Sequence, residues 1–215
     1  MSISLPNGAL VAIASGYTAP TAAFTSVSNA APPAVLVTNT FTTGDFVEVT
    51  SAWSRLTNKV VRLASASGTG FSLEGIDTTL TTIYPAAGGV GTARKISGWT
   101  QLSQILSSSS SGGEQQFLEY QLLEGDAQKR IPTVKSAAGL TFSVADDPTL
   151  AGYILASAAN DDRLPRAVRI TLPSGAVLVY NAYISLNKTP SLTVNEIMAC
   201  EVTLSLLAEP VRYAS

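Results

Sequence analysis

The sequence PSLTVNEIMACEVTLSLLAEP, residues 190–210, decides the fold class because its side chains alternate in character. One row is apolar apart from a single carboxylate and comprises Leu192, Val194, Glu196, Met198, Cys200, Val202, Leu204 and Leu206. Such alternation is typical of a strand with one buried face. We therefore predict a strand of about sixteen residues, roughly 50 Å long at ~3.3 Å per residue. Strands usually have about 5–6 residues, so this one is too long for a small domain.

Two residues of the apolar row call for an explanation. Glu196 is a lone carboxylate, which is costly to bury. Either a bulge turns it outward, or this part of the strand lies at a subunit interface or in a wet channel. Cys200 is the only cysteine, so no intramolecular disulfide is possible, and we interpret it as a small core residue.

The rest of the chain predicts further short strands. Closely spaced strands from Val35 to Glu74 indicate a small β-barrel-like module. Residues 98–106 fit either a helical face or a strand that leads into a hairpin. Later strands are predicted in EQQFLEYQLLEGD (residues 114–126) and at Arg130–Lys135, Leu140–Ala145, Ala167–Leu172 and Ala176–Leu186.

One helix and two irregular segments complete the chain. The helix lies in DDPTLAGYILASAAND (residues 146–161), where Asp147 is placed to cap it and Pro148 to occupy its first position. Its buried side is predicted to be Tyr153, Ile154 and Leu155. By composition, SSSSSGG (residues 107–113) is a loop and residues 15–34 are a linker or an arm.

These elements predict a mainly β fold, a β-sandwich or partial barrel with one flanking short α-helix. A small β-barrel-like module is inserted in it. The predicted boundaries are residues 1–23 and 89–215 for the sandwich and residues 24–88 for the module.

Composition narrows the function classes. Charged residues make up 13% of the chain, against a typical ~25%, which favours a subunit whose faces are covered by copies of itself. An ordinary β-domain with a neutral surface is the alternative. The net charge of −2 does not indicate the basic surface that binds nucleic acid. The N-terminal ALVAIASG has no basic residue before it, so we expect a strand rather than a signal peptide, no membrane span, and folding in the cytosol.

The sequence gives little support for enzyme activity. The chain has no histidine, which removes Ser-His and Cys-His pairs and imidazole metal sites. The pair Asp146–Asp147 stands at a helix start and is interpreted as capping. The pair Asp161–Asp162 precedes Arg163 and Arg166 and is interpreted as a solvated turn. We predict no enzyme activity and no catalytic, cofactor or metal site.

Two long segments nevertheless resemble a known family. GGEQQFLEYQLLEGDAQKRIPTVKSAAGLTFSVADDPTLAGY (residues 112–153) and LNKTPSLTVNEIMACEVTLSLLAEPVRY (residues 186–213) are similar to the major tail tube proteins of long-tailed, non-contractile bacteriophages. The resemblance lies in the order of elements and covers about Ala93–Tyr213 and the N-terminal strand. The segment Phe24–Thr82 resembles a small β-module inserted in phage tail and fibre proteins. Relatives of that module often read HGL before GD, where this chain reads TFTTGD, so the match is partial.

The resemblance implies a virion protein of the phage tail, assembled in the host cytoplasm. Its subunits form stacked rings, commonly of six, and their strands join in one barrel around a lumen that passes DNA. The implied partners are other copies of the chain, the tape-measure protein, the tail terminator and baseplate proteins, and double-stranded DNA in transient, non-specific passage. No cofactor is implied.

The resemblance to tail tube proteins suggests candidate residues for the lumen and for the contacts between subunits. Polar or acidic side chains suit a lumen that must not hold phosphate, and the candidates are Glu119, Gln121, Thr193 and Asn195. The inter-subunit candidates are Glu196, Ser107, Ser111, Gly112, Gly113, Pro32 and Pro33. The inserted module is expected on the outside of the tube. An alternative is a minor tail or capsid-decoration protein that uses its β-module to bind host surfaces or the virion.

Overall fold

A computed structural model describes residues 7–18 and 23–214, and this part of the chain is mainly β. It contains fourteen strands and one α-helix, α1 (Ala151–Asp162). The first seven strands are β1 (Leu10–Tyr17), β2 (Ala34–Leu36), β3 (Phe46–Ser51), β4 (Lys59–Ser67), β5 (Gly70–Leu73), β6 (Gly91–Leu102) and β7 (Ile105–Ser111). The others are β8 (Gln115–Tyr120), β9 (Lys129–Lys135), β10 (Gly139–Ala145), β11 (Arg166–Thr171), β12 (Val177–Leu186), β13 (Ala199–Leu206) and β14 (Val211–Tyr213). The predicted mainly β class with one short helix is confirmed.

The strands form one large sheet and one separate hairpin. The large sheet runs β2-β5-β4-β3-β6-β1-β11-β12-β13-β10-β7, with β14 paired to β12, and all its pairs are antiparallel. Strands β8 and β9 form the two-stranded hairpin. The large sheet does not close into a barrel. Its β2–β5 part packs over one face of β11, β12 and β14, which gives a sandwich.

The long strand that links the two parts of the sheet is β6. Its first half pairs with β3, where Val47 lies opposite Lys95, and its second half pairs with β1, where Ala12 lies opposite Gln101. The register shifts around Gly16, so the sheet bends there. Residues 98–106, which fitted either a helix or a strand, therefore belong to the end of β6 and the start of β7.

The predicted sixteen-residue C-terminal strand is wrong, because only Ala199–Leu206 forms β13. Residues 191–198 lack regular structure, and the Glu196 amide donates to the Thr193 carbonyl at 3.3 Å in a turn. The neighbouring strand β10 ends at Ala145, which lies opposite Ala199. Residues before Ala199 therefore have no partner in the β10–β13 ladder. Glu196 lies in this exposed turn, and the predicted bulge is therefore wrong as well.

Two hydrophobic cores lie on the two faces of the central strands. The first holds the apolar side chains of β3, β4 and β5 together with Ala167, Val179 and Tyr213. The second lies on the opposite face, where β10, β13 and helix α1 cover Val168 and Tyr180. Cys200 is 1% exposed within the second core, which confirms its interpretation as a core residue.

Helix α1 begins later than the sequence predicts. The Asp147 carboxylate accepts from the amide and the hydroxyl of Thr149, at 3.0 and 2.6 Å, in a turn that precedes the helix. Leu150 is the N-cap residue and makes no side-chain cap hydrogen bond. The predicted roles of Asp147 as helix cap and of Pro148 as first helical residue are therefore wrong. A short side chain that satisfies its own local turn competes with helix capping.

The buried face of α1 also differs from the prediction. Ile154 is 56% exposed, and Tyr153 and Leu155 are only partly buried. A Cβ added at Gly152 would lie 2.4 Å from the Gln101 carbonyl oxygen, so the helix approaches β6 too closely for any side chain at this position. The buried residues are the small ones, Gly152, Ala156 and Ala159.

Two segments predicted to be irregular are ordered instead. The serine run forms strand β7 because the free edge of β10 supplies backbone partners, with Ser111 opposite Gly139. In the N-terminal segment, Phe24 and Val27 are 1% and 5% exposed in the first core. The loop and arm predictions are therefore wrong at these positions, while residues 19–22 of the arm lie outside the described residues.

An ion pair between the buried Glu48 and the partly exposed Arg94 joins the two parts of the sheet. Glu48 of β3 is 6% exposed and accepts from Arg94 Nη2 at 2.6 Å and from Asn181 Nδ2 at 3.1 Å. The Arg94 guanidinium stacks on the Tyr17 ring at 4.0 Å. The sheet is continuous through β3 and β6, and the division into residues 24–88 and the remainder stays a prediction.

Candidate assembly surfaces

The β8–β9 hairpin carries apolar side chains that nothing in the described chain covers. No residue of either strand is buried. Its large exposed apolar residues are Phe117, Leu118, Leu122, Leu123, Ile131 and Val134. An isolated two-stranded hairpin is marginally stable in water. An apolar hairpin of this kind indicates a surface that associates with another molecule.

Local hydrogen bonds define the hairpin. Glu119 and Arg130 lie opposite each other and form an ion pair at 2.5 Å. At the tip, Gln121 Nε2 donates to the Gly125 carbonyl at 3.0 Å. At the root, the Ser136 amide donates to the Glu114 carbonyl at 2.9 Å. The hairpin is therefore a defined projection rather than a loose loop.

The loop at residues 187–198 is the second uncovered apolar segment. Its exposed apolar residues are Leu192, Val194, Ile197 and Met198. The loop is tied down at its ends, where the Ser191 amide donates to the Ala199 carbonyl and the Asp146 amide to the Met198 carbonyl, both at 2.9 Å. Asn195 has a φ of 65°, a left-handed conformation that asparagine tolerates.

The two segments leave the sheet at opposite ends. Strands β7, β10 and β13 are antiparallel neighbours, with Ser111, Gly139 and Ser205 at one end. The hairpin lies between β7 and β10 in the chain, so it leaves from that end. Ala145 and Ala199 are paired at the other end, where residues 187–198 enter β13.

The lumen candidates are distributed over both segments. Glu119 and Gln121 belong to the hairpin, and Thr193 and Asn195 to the loop. All four are exposed. The structure of one chain brings each pair together but leaves the two pairs at opposite ends of the sheet. Their lumen role stays a prediction.

The inter-subunit candidates occupy three places. Ser107 and Ser111 are exposed on β7, the outermost strand of the sheet, and Gly112 and Gly113 follow it with φ of 71° and 78°. Glu196 is exposed in the loop at residues 187–198. Pro32 is exposed. Pro33 is buried within this chain, where its carbonyl accepts from the Leu73 amide at 3.0 Å.

The described part of the chain shows no arrangement of residues typical of a metal site or an activated nucleophile. No group of three or more His, Cys, Asp or Glu side chains there is arranged to hold a metal ion. Burial raises the pKa of the Cys200 thiol, which points at the Asp146 carboxylate at 3.4 Å, so it is not a poised nucleophile. Within residues 7–18 and 23–214, no helix combines the length and the apolar character needed to cross a membrane.

Comparison with known families decides among the remaining classes. The model of a family described as phage tail tube protein matches residues 51–215. This chain belongs to the phage tail tube protein family. Tail tube proteins are structural components of the virion tail and not enzymes, so the predicted absence of enzyme activity is supported by the family itself. A search of curated proteins found no match.

The family match also bears on the uncovered surfaces. Tail tube proteins assemble with copies of themselves into a tube, and this tail tube protein exposes apolar segments that suit such contacts. The match favours a tube subunit over a decoration protein. It includes residues 51–88, which lie in the predicted inserted module.

Sequence reasoning assigned no role to the apolar residues of the hairpin. One feature of the sequence could have indicated such a role. Residues 117–123 carry apolar side chains on both alternating rows, with Leu118 and Leu122 on one row and Phe117 and Leu123 on the other. A strand with one buried face shows a single apolar row. Two such rows on a hairpin outside the main sheet indicate a surface completed by another molecule.

Proposed function

We propose that this tail tube protein forms stacked rings of six copies around a lumen that conducts phage DNA into the host, in a long-tailed phage whose tail does not contract. The observation that carries the proposal is the placement of uncovered apolar segments at opposite ends of one sheet. A subunit with different apolar surfaces at its two ends makes head-to-tail contacts. Such contacts repeat from copy to copy and build closed rings or continuing stacks.

The uncovered side chains supply the energy for association. Fully burying one large apolar side chain contributes about 1.5–3 kcal/mol. The hairpin and the loop at residues 187–198 together expose ten such side chains. Even partial burial of this set offsets the loss of translational and rotational freedom on association, which is on the order of 4–15 kcal/mol.

The free edge of β7 supports a wall that is shared between copies. Among residues 7–18 and 23–214, strand β7 pairs only with β10, so its other edge presents backbone groups that these residues leave unpaired. Pairing of that edge with a neighbouring copy would continue the sheet across the boundary. Ser107 and Ser111, with their small exposed side chains, leave room for such an approach.

The lumen lining follows from what DNA passage requires. The proposed lining residues Glu119, Gln121, Thr193 and Asn195 are acidic or neutral and do not retain phosphate. The formal charge of −2 per chain acts in the same direction. The tape-measure protein inside the tube and the terminator and baseplate proteins at its ends are the proposed partners, with assembly in the host cytoplasm.

Electron microscopy of the purified, concentrated protein tests the ring assembly. The wild type is expected to form hollow tubes or stacked rings whose averaged images have six-fold symmetry. The double variant Leu118→Ser/Ile131→Ser removes a directly opposed apolar pair of the hairpin and is expected to remain monomeric. The matched control Leu36→Ser/Leu80→Ser alters two leucines outside both segments that are 72% and 56% exposed and is expected to assemble.

Two results would contradict the proposal. Tubes formed by the hairpin variant at the wild-type concentration would remove the hairpin from assembly. Averaged wild-type images with a symmetry other than six would overturn the ring size.

The lumen assignment has its own test. Gln121→Lys places a cation in each copy of the proposed lining and is expected to slow DNA ejection from assembled phage. Gln101→Lys adds the same charge at an exposed glutamine of β6, outside the hairpin and the loop at residues 187–198, and serves as the control. Equal ejection rates for Gln121→Lys and the wild type would exclude Gln121 from the lumen.

A further inference from the structure

A cleft of about 520 Å³ lies at the root of the hairpin. It is bounded by the turn that follows β3, by the first residues of β8 and the last of β9, and by the segment after β13. Its volume falls in the range of pockets that take up ligand groups. Its charged lining residues are Arg55, Lys59, Lys135 and Glu209.

The cleft carries more positive than negative charge. The Glu209 carboxylate accepts from Lys135 Nζ, and Lys59 Nζ lies 3.4 Å from the Glu209 backbone carbonyl. The hydrogen bond from Lys135 holds the pKa of Glu209 below its ordinary value. Arg55 is exposed on its turn and has no carboxylate partner among the described ion pairs. Three cations therefore face one carboxylate, and the cleft suits an acidic group.

The tip of the hairpin has the complementary composition. Leu123 is fully exposed, and Glu124 and Asp126 are exposed carboxylates without an ion-pair partner among the described residues. Lys129 stands where β9 begins, at the base of the tip. The cleft offers apolar side chains beside its cations, including Val134 and Leu207. The apolar side chains of the cleft therefore suit Leu123, and its cations suit the carboxylates of Glu124 and Asp126.

The tip of one chain does not reach the cleft of the same chain. Gln115 lines the cleft, and the strand from Gln115 to Leu122 is roughly 20 Å long at ~3.3 Å per residue. The β8–β9 ladder holds the tip at that distance from the root. A hairpin tip that fills the cleft must therefore come from another copy.

We propose that the hairpin tip at residues 122–126 of one copy docks in the cleft at the hairpin root of the neighbouring copy. This inference rests on the proposed ring assembly and names the contact that orients it. Each chain contributes one tip and one cleft, so the contact is head-to-tail and repeats around a ring. Because it depends on charge, it weakens as the salt concentration rises.

Charge reversal tests the contact. Arg55→Glu and Glu124→Arg are each expected to raise the protein concentration needed for assembly at least about tenfold, since like charges then face each other. The double variant Arg55→Glu/Glu124→Arg restores opposite charges and is expected to assemble within about threefold of the wild type. Arg212→Glu makes the same charge change on β14, outside cleft and tip, and is expected to assemble as the wild type does.

The measurement is sedimentation over a concentration series, with electron microscopy of the pelleted material and the melting temperature of each variant as a check on folding. Arg55→Glu that assembles at the wild-type concentration would overturn the docking contact and leave the proposed ring assembly standing. Defects in both single variants without rescue in the double would also overturn it, because the two charges would then not meet. A wild type that forms no rings or tubes would instead overturn the proposed function.

Discussion

Strands β4 and β9 belong to the same mainly β chain and have opposite surroundings. In β4, Val60, Val61 and Leu63 are at most 2% exposed within the first core. In β9, every residue is exposed. Strand β4 lies inside a sheet between β3 and β5, whereas β8 is the only partner of β9 in the part of the chain that the structure describes. The comparison teaches that the apolar burial that stabilises the fold is concentrated in the sandwich, while the apolar side chains of the hairpin stay exposed and available for contacts with other molecules.

Truncation in the core is expected to have the largest effect on stability. Leu63→Ala removes a fully buried side chain from the first core and should lower the free energy of unfolding by about 2–5 kcal/mol. Urea unfolding at a concentration where the protein is monomeric measures this. The control Leu36→Ala changes a leucine that is 72% exposed and should stay within about 0.5 kcal/mol. Equal losses for both variants would contradict the location of the core.

Removal of a buried charge comes next. Glu48→Ala leaves the partners Arg94 and Asn181 without their acceptor and should cost about 1–3 kcal/mol. Glu119→Ala breaks an exposed hairpin pair with Arg130 and should cost about 0–1 kcal/mol. Thermal unfolding of both variants compares the two regions directly. A loss at Glu119 as large as that at Glu48 would mean that the hairpin contributes to the fold.

The acid sensitivity of the sandwich provides a smaller effect. The hydrogen bond from Arg62 to Glu74 holds the pKa of that carboxyl below its ordinary value. The unfolded chain therefore binds more protons than the folded chain in acid. This stabilising contribution is present above about pH 4.3, the unperturbed pKa of Glu, and is lost as the pH falls through the folded pKa. Melting temperatures from pH 7 to pH 3 should fall less steeply for Glu74→Gln than for the wild type; parallel curves would contradict this.

The smallest effect is expected in the hairpin. Val134→Thr replaces a valine that is 70% exposed and should change the free energy of unfolding of the monomer by less than about 0.5 kcal/mol. The matched variant Val61→Thr makes the same change at a fully buried position of β4 and should cost about 1–3 kcal/mol. Chemical denaturation of both variants measures the change in the free energy of unfolding at each position. A measurable loss at Val134 would show that the free chain covers this side of the hairpin.

Much of the fold was predictable from local patterns. The strands between Val35 and Glu74, the later strands from Arg130 to Leu186 and the buried Cys200 follow from alternation between apolar and polar residues. The errors share one physical cause, which is that a strand or a helix end depends on a partner distant in sequence. The serine run became β7 because β10 lies beside it, and residues 191–198 left the sheet because no neighbour continues there.

The candidate surfaces were only partly predictable. The sequence predicts Glu119, Gln121, Thr193 and Asn195 as lumen residues; all four are exposed, and their lumen role stays a prediction. The cleft that contains Arg55, Lys59, Lys135 and Glu209 was not predictable, because it brings together residues that are distant in sequence, such as Lys59 and Glu209, which are 150 residues apart.

The sequence by itself determined the β class, the single helix and the resemblance to tail tube proteins, because alternation and the order of elements are local properties of the chain. Only the tertiary structure decided where strands end, which apolar residues are buried and which charges meet. Backbone hydrogen bonds and apolar contacts in a sheet are made between distant segments. A given apolar residue therefore lies in the core at Leu63 and in solvent at Leu123 for reasons that only the neighbouring strands supply.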